Sequence, residues 1–164
     1  MSPKTAGLPE NVVTPQDMSA LLLDIRRYNQ WYQSEVIKQR TNVNTPSPAP
    51  SVSETASELL RTYAPDGHMS SETLTALITW LEHIKKTAPT ITITLADLPS
   101  APLKRELASW CRNNLAPIML IQFNCNRRIL GGMVVRYGSR MFDWSFRTKL
   151  LANKAAIPEV MRRV

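Results

Sequence analysis

Asp143, Ser145 and Arg147 stand at alternate positions of one short segment and make the nearest thing in this chain to a polar constellation. A carboxylate, a hydroxyl and a guanidinium so spaced could be imagined as a small site. On a strand-to-helix turn the same side chains satisfy helix N-terminal amides, with Arg147 placed to pair with Asp143, and this simpler account is preferred. The other reactive side chains do not assemble. His68 and His83 fall at a turn and on a helix without carboxylates arranged around them, and read as surface or packing histidines. Cys111 and Cys125, expected in a helix and at a strand end, show neither CxxC nor His-x-x-x-His spacing and read as reduced packing residues. There is no Walker-type glycine loop, no Gly-x-Ser-x-Gly elbow and no cluster at metal-ligand spacing. No catalytic, cofactor-binding or metal residue is therefore expected, and an enzyme is disfavoured.

The elements that position the polar segment are legible in the run from Ile129 to Leu150. Met133, Val135 and Tyr137 alternate with Val134 and Arg136, Gly138-Ser139 is a two-residue hairpin signal, and Arg140, Met141 and Phe142 resume an extended run. Asp143 or Ser145 can cap a helix beginning near Phe146. Gly131-Gly132 at a strand entrance suggests a bulge or a close backbone approach, and Gly138 supplies positive φ at the turn.

Upstream, residues 1 to 13 lack periodicity and read as an irregular or partner-ordered arm. Thr14, Pro15 and Asp17 then open a helix in which Met18, Leu21, Leu22, Ile25, Tyr28, Tyr32 and Val36 recur three or four apart, with Trp31 beside Tyr32 leaving an apolar bulge. Pro46, Pro48 and Pro50 mark an extended linker, so this helix is expected to sit on a tether. Ser51 with Glu54 suggests a capping box for a short helix to about Thr62. Ser70 caps the next, with Met69 and Leu74 as a hydrophobic staple and Leu74, Leu77, Ile78, Leu81 and Ile84 as the buried stripe.

After Pro89, threonines alternate with Ile91, Ile93 and Leu95 in a strand with one face packed and one wet. Ser100 caps a helix with Leu103, Leu107, Trp110 and Cys111 on one side and Lys104, Arg105 and Arg112 mostly on the other. The nearly continuous apolarity of IMLIQF predicts a central strand covered on both faces. The fold class is α+β: a helical N-terminal part of three helices, a reduced bundle, joined to a small mixed sheet with helices packed on it. The expected divisions are 1–40 (arm and amphipathic helix), 41–53 (proline-rich linker), 54–88 (helical segment) and 89–164 (C-terminal α+β domain).

A chain of 164 residues with 43% hydrophobic content can bury one moderate core or two small ones. No apolar run is long enough to span a bilayer and no secretory signal is visible, so a cytosolic or equivalent compartment is expected. The net charge of +7 is uneven. Residues 1–100 carry 8 Lys or Arg against 10 Asp or Glu, whereas 101–164 carry 12 against 3. Such asymmetry suits an acidic partner, a nucleic acid or an anionic surface, or simply a solvated face.

The ordered string Ile129, Leu130, Gly131, Gly132, Met133 to Arg136, Gly138, Asp143, Ser145 and Arg147 resembles, without a gap, the C-terminal signature of the delta subunit of F-type ATP synthases, the oligomycin-sensitivity-conferring protein of mitochondria. Asn126-Arg127 stands where that family usually has Asp-Pro, and Trp144 where many bacterial members have Gly. The likeness is strongest over residues 90–152, and the family's six-helix N-terminal bundle is shortened or replaced here. The resemblance implies a non-catalytic peripheral-stalk subunit without cofactors, linking the catalytic head to the b subunits and resisting rotor torque. It implies a place on the cytoplasmic face of a bacterial inner membrane, or the matrix side in mitochondria, with membrane contact only through the complex. Trp144, Phe146, Leu150 and Leu151 are then candidate contacts for C-terminal helices of the b subunits. Leu21, Ile25, Tyr28, Trp31 and Tyr32 are candidates for the N-terminal segments of alpha subunits. Gly131, Gly132, Gly138, Asp143, Ser145 and Arg147 are structural signature positions. A rival from another class is a small basic nucleic-acid-binding module, suggested by pI 9.8 and by Arg127, Arg128, Arg136 and Arg140. It lacks an aromatic pair on a central strand to stack bases.

Overall fold

The computed structural model describes residues 8–41, 47–64 and 69–153; His68 and the terminal residues 1–7 and 154–164 lie outside them. Helix α1 spans Pro15–Arg40, a rod of about 39 Å. Its start is set by a full capping box: the Thr14 hydroxyl accepts from the Asp17 amide at 3.1 Å, and the Thr14 amide donates to the Asp17 carboxylate at 2.8 Å. Helix α2 (Glu54–Tyr63) is capped by Ser53, whose hydroxyl accepts from the Ala56 amide, and not by Ser51, because the cap must immediately precede the first helical residue. In α3 (Ser71–Thr87) Ser70 is the cap, and the staple residues Met69 and Leu74 are buried in one cluster.

The helices form a core that the periodicity predicts. Met18, Leu21, Leu22 and Ile25 of α1 meet Ala56, Leu59 and Leu60 of α2 and Leu74, Leu77, Leu81 and Ile84 of α3. Each fully buried aliphatic side chain contributes about 2 kcal/mol. The ion pair between Arg26 and Glu82, 2.6 Å long and half exposed, is worth less than about 1 kcal/mol, so apolar burial joins α1 to α3. Helix α1 is thus not held by a tether alone. The described end of the proline-rich stretch lies back along it: the Trp31 indole N–H donates to the Ser47 carbonyl at 3.0 Å, the Ser47 amide to Glu35 at 3.2 Å, and the Ser53 amide to Asp24 at 3.1 Å.

Residues 8–13, the described part of the predicted arm, are irregular as expected but packed against the chain itself. Leu8 and Val12 are buried in the helical core, while Val13 is buried in the second cluster under the sheet. That sheet holds β1 (Thr90–Leu95), β2 (Leu120–Cys125), β3 (Met133–Tyr137) and β4 (Arg140–Asp143) in the order β2-β1-β3-β4. β1 pairs parallel with β2 and antiparallel with β3, and β3 pairs antiparallel with β4. The expectation of a central strand at IMLIQF fails, since β2 lies at the sheet edge. Its apolarity has another cause: Leu120 plugs the helical core, whereas Met119 and Ile121 plug the sheet core. The Ile121 amide, on the outer edge, donates to the Val13 carbonyl at 2.9 Å.

Helix α4 (Ala101–Asn114) joins β1 to β2 and packs Ala108 and Cys111 onto Ile91, Ile93 and Ile121. Of the side predicted to carry Leu103, Leu107, Trp110 and Cys111, Leu103 and Trp110 are exposed. Arg112, expected with Lys104 and Arg105 mostly on the other side, turns inward, and its guanidinium donates to the carbonyls of Pro9 and Val12. Burial lowers its pKa, partly opposed by the charge of Glu10. Cys111 is buried as expected, but Cys125 is exposed and donates from sulfur to the Ala96 carbonyl.

Candidate partner-docking groove

The register assigns the sheet faces. Ile91 lies opposite Tyr137, Ile93 opposite Val135, and Val135 opposite Phe142, so these side chains share one face. Helix α4 covers the part of that face over β1 and β2. The part over β3 and β4 is left open as a groove of about 760 Å³, walled by Leu103, Leu107, Trp110 and Leu115 and floored by Met133, Val135, Tyr137 and Phe142. Trp144 closes one end, its ring stacked on Phe142 at 5.7 Å and 15°. Trp110 is 58% exposed and Trp144 52%, a large apolar commitment for a surface that meets only water. Glu106 is the one charged residue on its lining. A small-molecule site needs several converging polar groups, and this lining does not offer them.

The signature residues build the groove's end. A Cβ on Gly132, at φ +72°, would lie 2.3 Å from the Trp144 carbonyl oxygen, so the close approach suggested by the glycine pair is real. Gly138, at φ +58°, occupies the first central position of the hairpin turn. Helix α5 (Phe146–Ala152) is capped by the buried Ser145, whose hydroxyl accepts from the Thr148 amide. Asp143 accepts from the Ser145 amide and from the Thr148 hydroxyl, each at 2.8 Å. The Ser145 hydroxyl and amide, then Thr148, hold its carboxyl below the usual carboxylate value. Arg147 adds only a smaller electrostatic pull and forms no ion pair with Asp143 among the described residues. The expected cap is therefore present with Thr148, which sequence reasoning missed, in the place given to Arg147.

Trp144, Phe146, Leu150 and Leu151 are all exposed, Trp144 on the groove and the other three on α5. The α4 wall and the β3–β4 floor went unrecognised in the sequence because an apolar stripe looks the same whether a partner or the chain's own core covers it. On α1, Leu21 and Ile25 are 2% and 0% exposed and belong to the interior. Tyr28 and Tyr32 are half-buried against the helical core, Trp31 leans on Tyr28, and the Tyr32 hydroxyl donates to the Met69 carbonyl. Leu23 and Ile37, off the predicted stripe, are the large apolar side chains that α1 exposes. The hairpin arginines do not form one basic surface. Arg136 lies opposite Met141 and Arg140 opposite Tyr137, on different faces, and Arg127 and Arg128 sit in the turn at the other end of β3.

A family model described as ATP synthase delta (OSCP) subunit matches residues 52–157. The chain belongs to the ATP synthase delta (OSCP) subunit family. It is a non-catalytic, peripheral-stalk subunit of an F-type ATP synthase, and its partners are other subunits of that complex. The delta (OSCP) match takes in α2 to α5 and the whole groove, and begins after α1 has ended. A chain of the cryo-EM structure of the Polytomella F-ATP synthase, in primary rotary state 3, is similar at 16% identity, covering 48% of this chain and 100% of that one with a TM-score of 0.36. That likeness is too distant to bear on function. No curated protein matches. No described helix is long and apolar enough to cross a membrane.

Proposed function

We propose that this subunit couples the catalytic head to the peripheral stalk, with the α4–β3–β4 groove receiving the C-terminal helix of a b subunit and the helical half facing N-terminal segments of alpha subunits. The observation that carries the reading is the open apolar groove with Trp110, Phe142 and Trp144 exposed along it. A helix laid in such a groove buries its apolar stripe, as helix-in-groove recognition requires. The basic C-terminal half favours acidic flanks on that helix. Leu23 and Ile37 are the apolar groups α1 offers to the head. A subunit that resists torque needs broad contacts and no active site.

Isothermal titration of the full chain with a peptide of the cognate b C-terminal helix tests this. Binding should be stoichiometric and abolished by Val135→Arg, which places a charge on the groove floor. Undiminished binding by that variant overturns the assignment of the groove.

A further inference from the structure

Helix α4 presents Leu103, Glu106, Leu107 and Trp110 to the groove, at the i, i+3, i+4 and i+7 spacing of one stripe. Three are apolar; the fourth is a carboxylate. Glu106 is exposed and makes no hydrogen bond or ion pair with the described residues. It also borders a notch that holds Arg105 and Arg112, but the Arg112 guanidinium is turned to the Pro9 and Val12 carbonyls. The carboxylate acting on Arg112 is that of Glu10.

A helix covering the groove would strip water from Glu106. An uncompensated carboxylate under an apolar interface opposes binding, whereas one met by a cation adds little net affinity but penalises every misaligned alternative. We infer that Glu106 is the register-setting residue of the groove, and that the stalk helix carries one Lys or Arg within its apolar stripe to meet it. The inference rests on the groove reading proposed above. It commits the occupant to a helix with acidic flanks and a single cation among its apolar anchors; a second copy's α5 carries Arg147 and Lys149 beside Phe146, Leu150 and Leu151 but no carboxylate, and a wholly apolar ligand lacks the cation. A lone polar pair in an apolar helix seam specifies alignment in the same way in coiled coils.

The test uses the full chain and the b C-terminal peptide, in its natural form and with the stripe Lys or Arg changed to Glu. Glu106→Gln, at an exposed and unpaired position, should fold as wild type by circular dichroism and bind the natural peptide at least about tenfold more weakly. Glu106→Lys should bind the natural peptide worse still and recover affinity with the Glu-bearing peptide. If Val135→Arg blocks binding while Glu106→Gln binds like wild type, the groove stands and the register inference is overturned. A natural peptide without Lys or Arg in its stripe that still binds in the groove overturns it equally. If Val135→Arg has no effect, or the wild-type chain does not bind, the groove reading falls and takes this inference with it.

Discussion

Gly132 and Gly138 both need positive φ, yet only one is boxed in. Gly132→Ala would drive a methyl into the Trp144 carbonyl as well as straining the backbone, while a methyl on Gly138 meets nothing within 4 Å. Thermal or denaturant unfolding should show Gly138→Ala costing about 1 kcal/mol and Gly132→Ala clearly more, about 3 kcal/mol. Equal losses would mean that the backbone approach at Gly132 relaxes freely. Asp143 carries a pH dependence with a definite sign. Its folded pKa is depressed, so the cap's contribution is fully present above the ordinary Asp value, about 3.9, and is lost as pH falls through the lower folded value. Carboxyl NMR should show α5 loosening only in acid and nothing between pH 5 and 8. Thr148→Val should move the Asp143 titration upward; an unmoved titration would deny Thr148 its role. The thiols differ too: Cys125 is exposed, while burial shields Cys111 and raises its pKa. One thiol should label rapidly under native conditions and the second only on unfolding, a ratio that mass spectrometry reads directly.

At the scale of elements, helix starts were legible because caps are local chemistry. Thr14-Pro15 with Asp17, and Met69-Ser70 with Leu74, act as their types demand. Strand β1 was legible because one-sided burial writes a period of two into threonine and isoleucine. Strand β2 was not, because an edge strand that plugs two cores writes the same run as a central one. The burial of residues 8–13 was not legible, since six residues without periodicity carry no signal; Leu8, Val12 and Val13 anchor them in the two cores, and Arg112, a hundred positions from Val12, clasps their carbonyls. The groove was half legible: its apolar stripes were visible, but not that α4 leaves the face over β3 and β4 uncovered. Arg112→Met should therefore act at a distance. Losing the two carbonyl contacts should cost about 2 kcal/mol and speed hydrogen exchange at the Ile121 amide, which Val13 holds. Unchanged exchange there would show that segment 8–13 stays in place without the clasp.

At the scale of the whole molecule, the proposed docking would divide the work of association between charge and apolar surface. The basic C-terminal half should speed encounter with an acidic stalk helix, and the groove should hold it. Raising salt should mainly slow association, whereas Trp110→Ala should mainly hasten dissociation and cost at least about 2 kcal/mol of affinity. Surface plasmon resonance separates the two effects; a salt effect confined to dissociation would place the charges inside the contact.

Val12 and Val13 are neighbours in the chain but lie in different cores, and so do Leu120 and Ile121. The wall between the helical half and the sheet half is thus crossed twice by single peptide units whose side chains are anchored on both sides. Such a joint has little compliance. On the proposed stator reading, a pull applied at the groove would reach the helices through covalent main chain and two buried anchors, so the two halves should answer a twisting load as one strut.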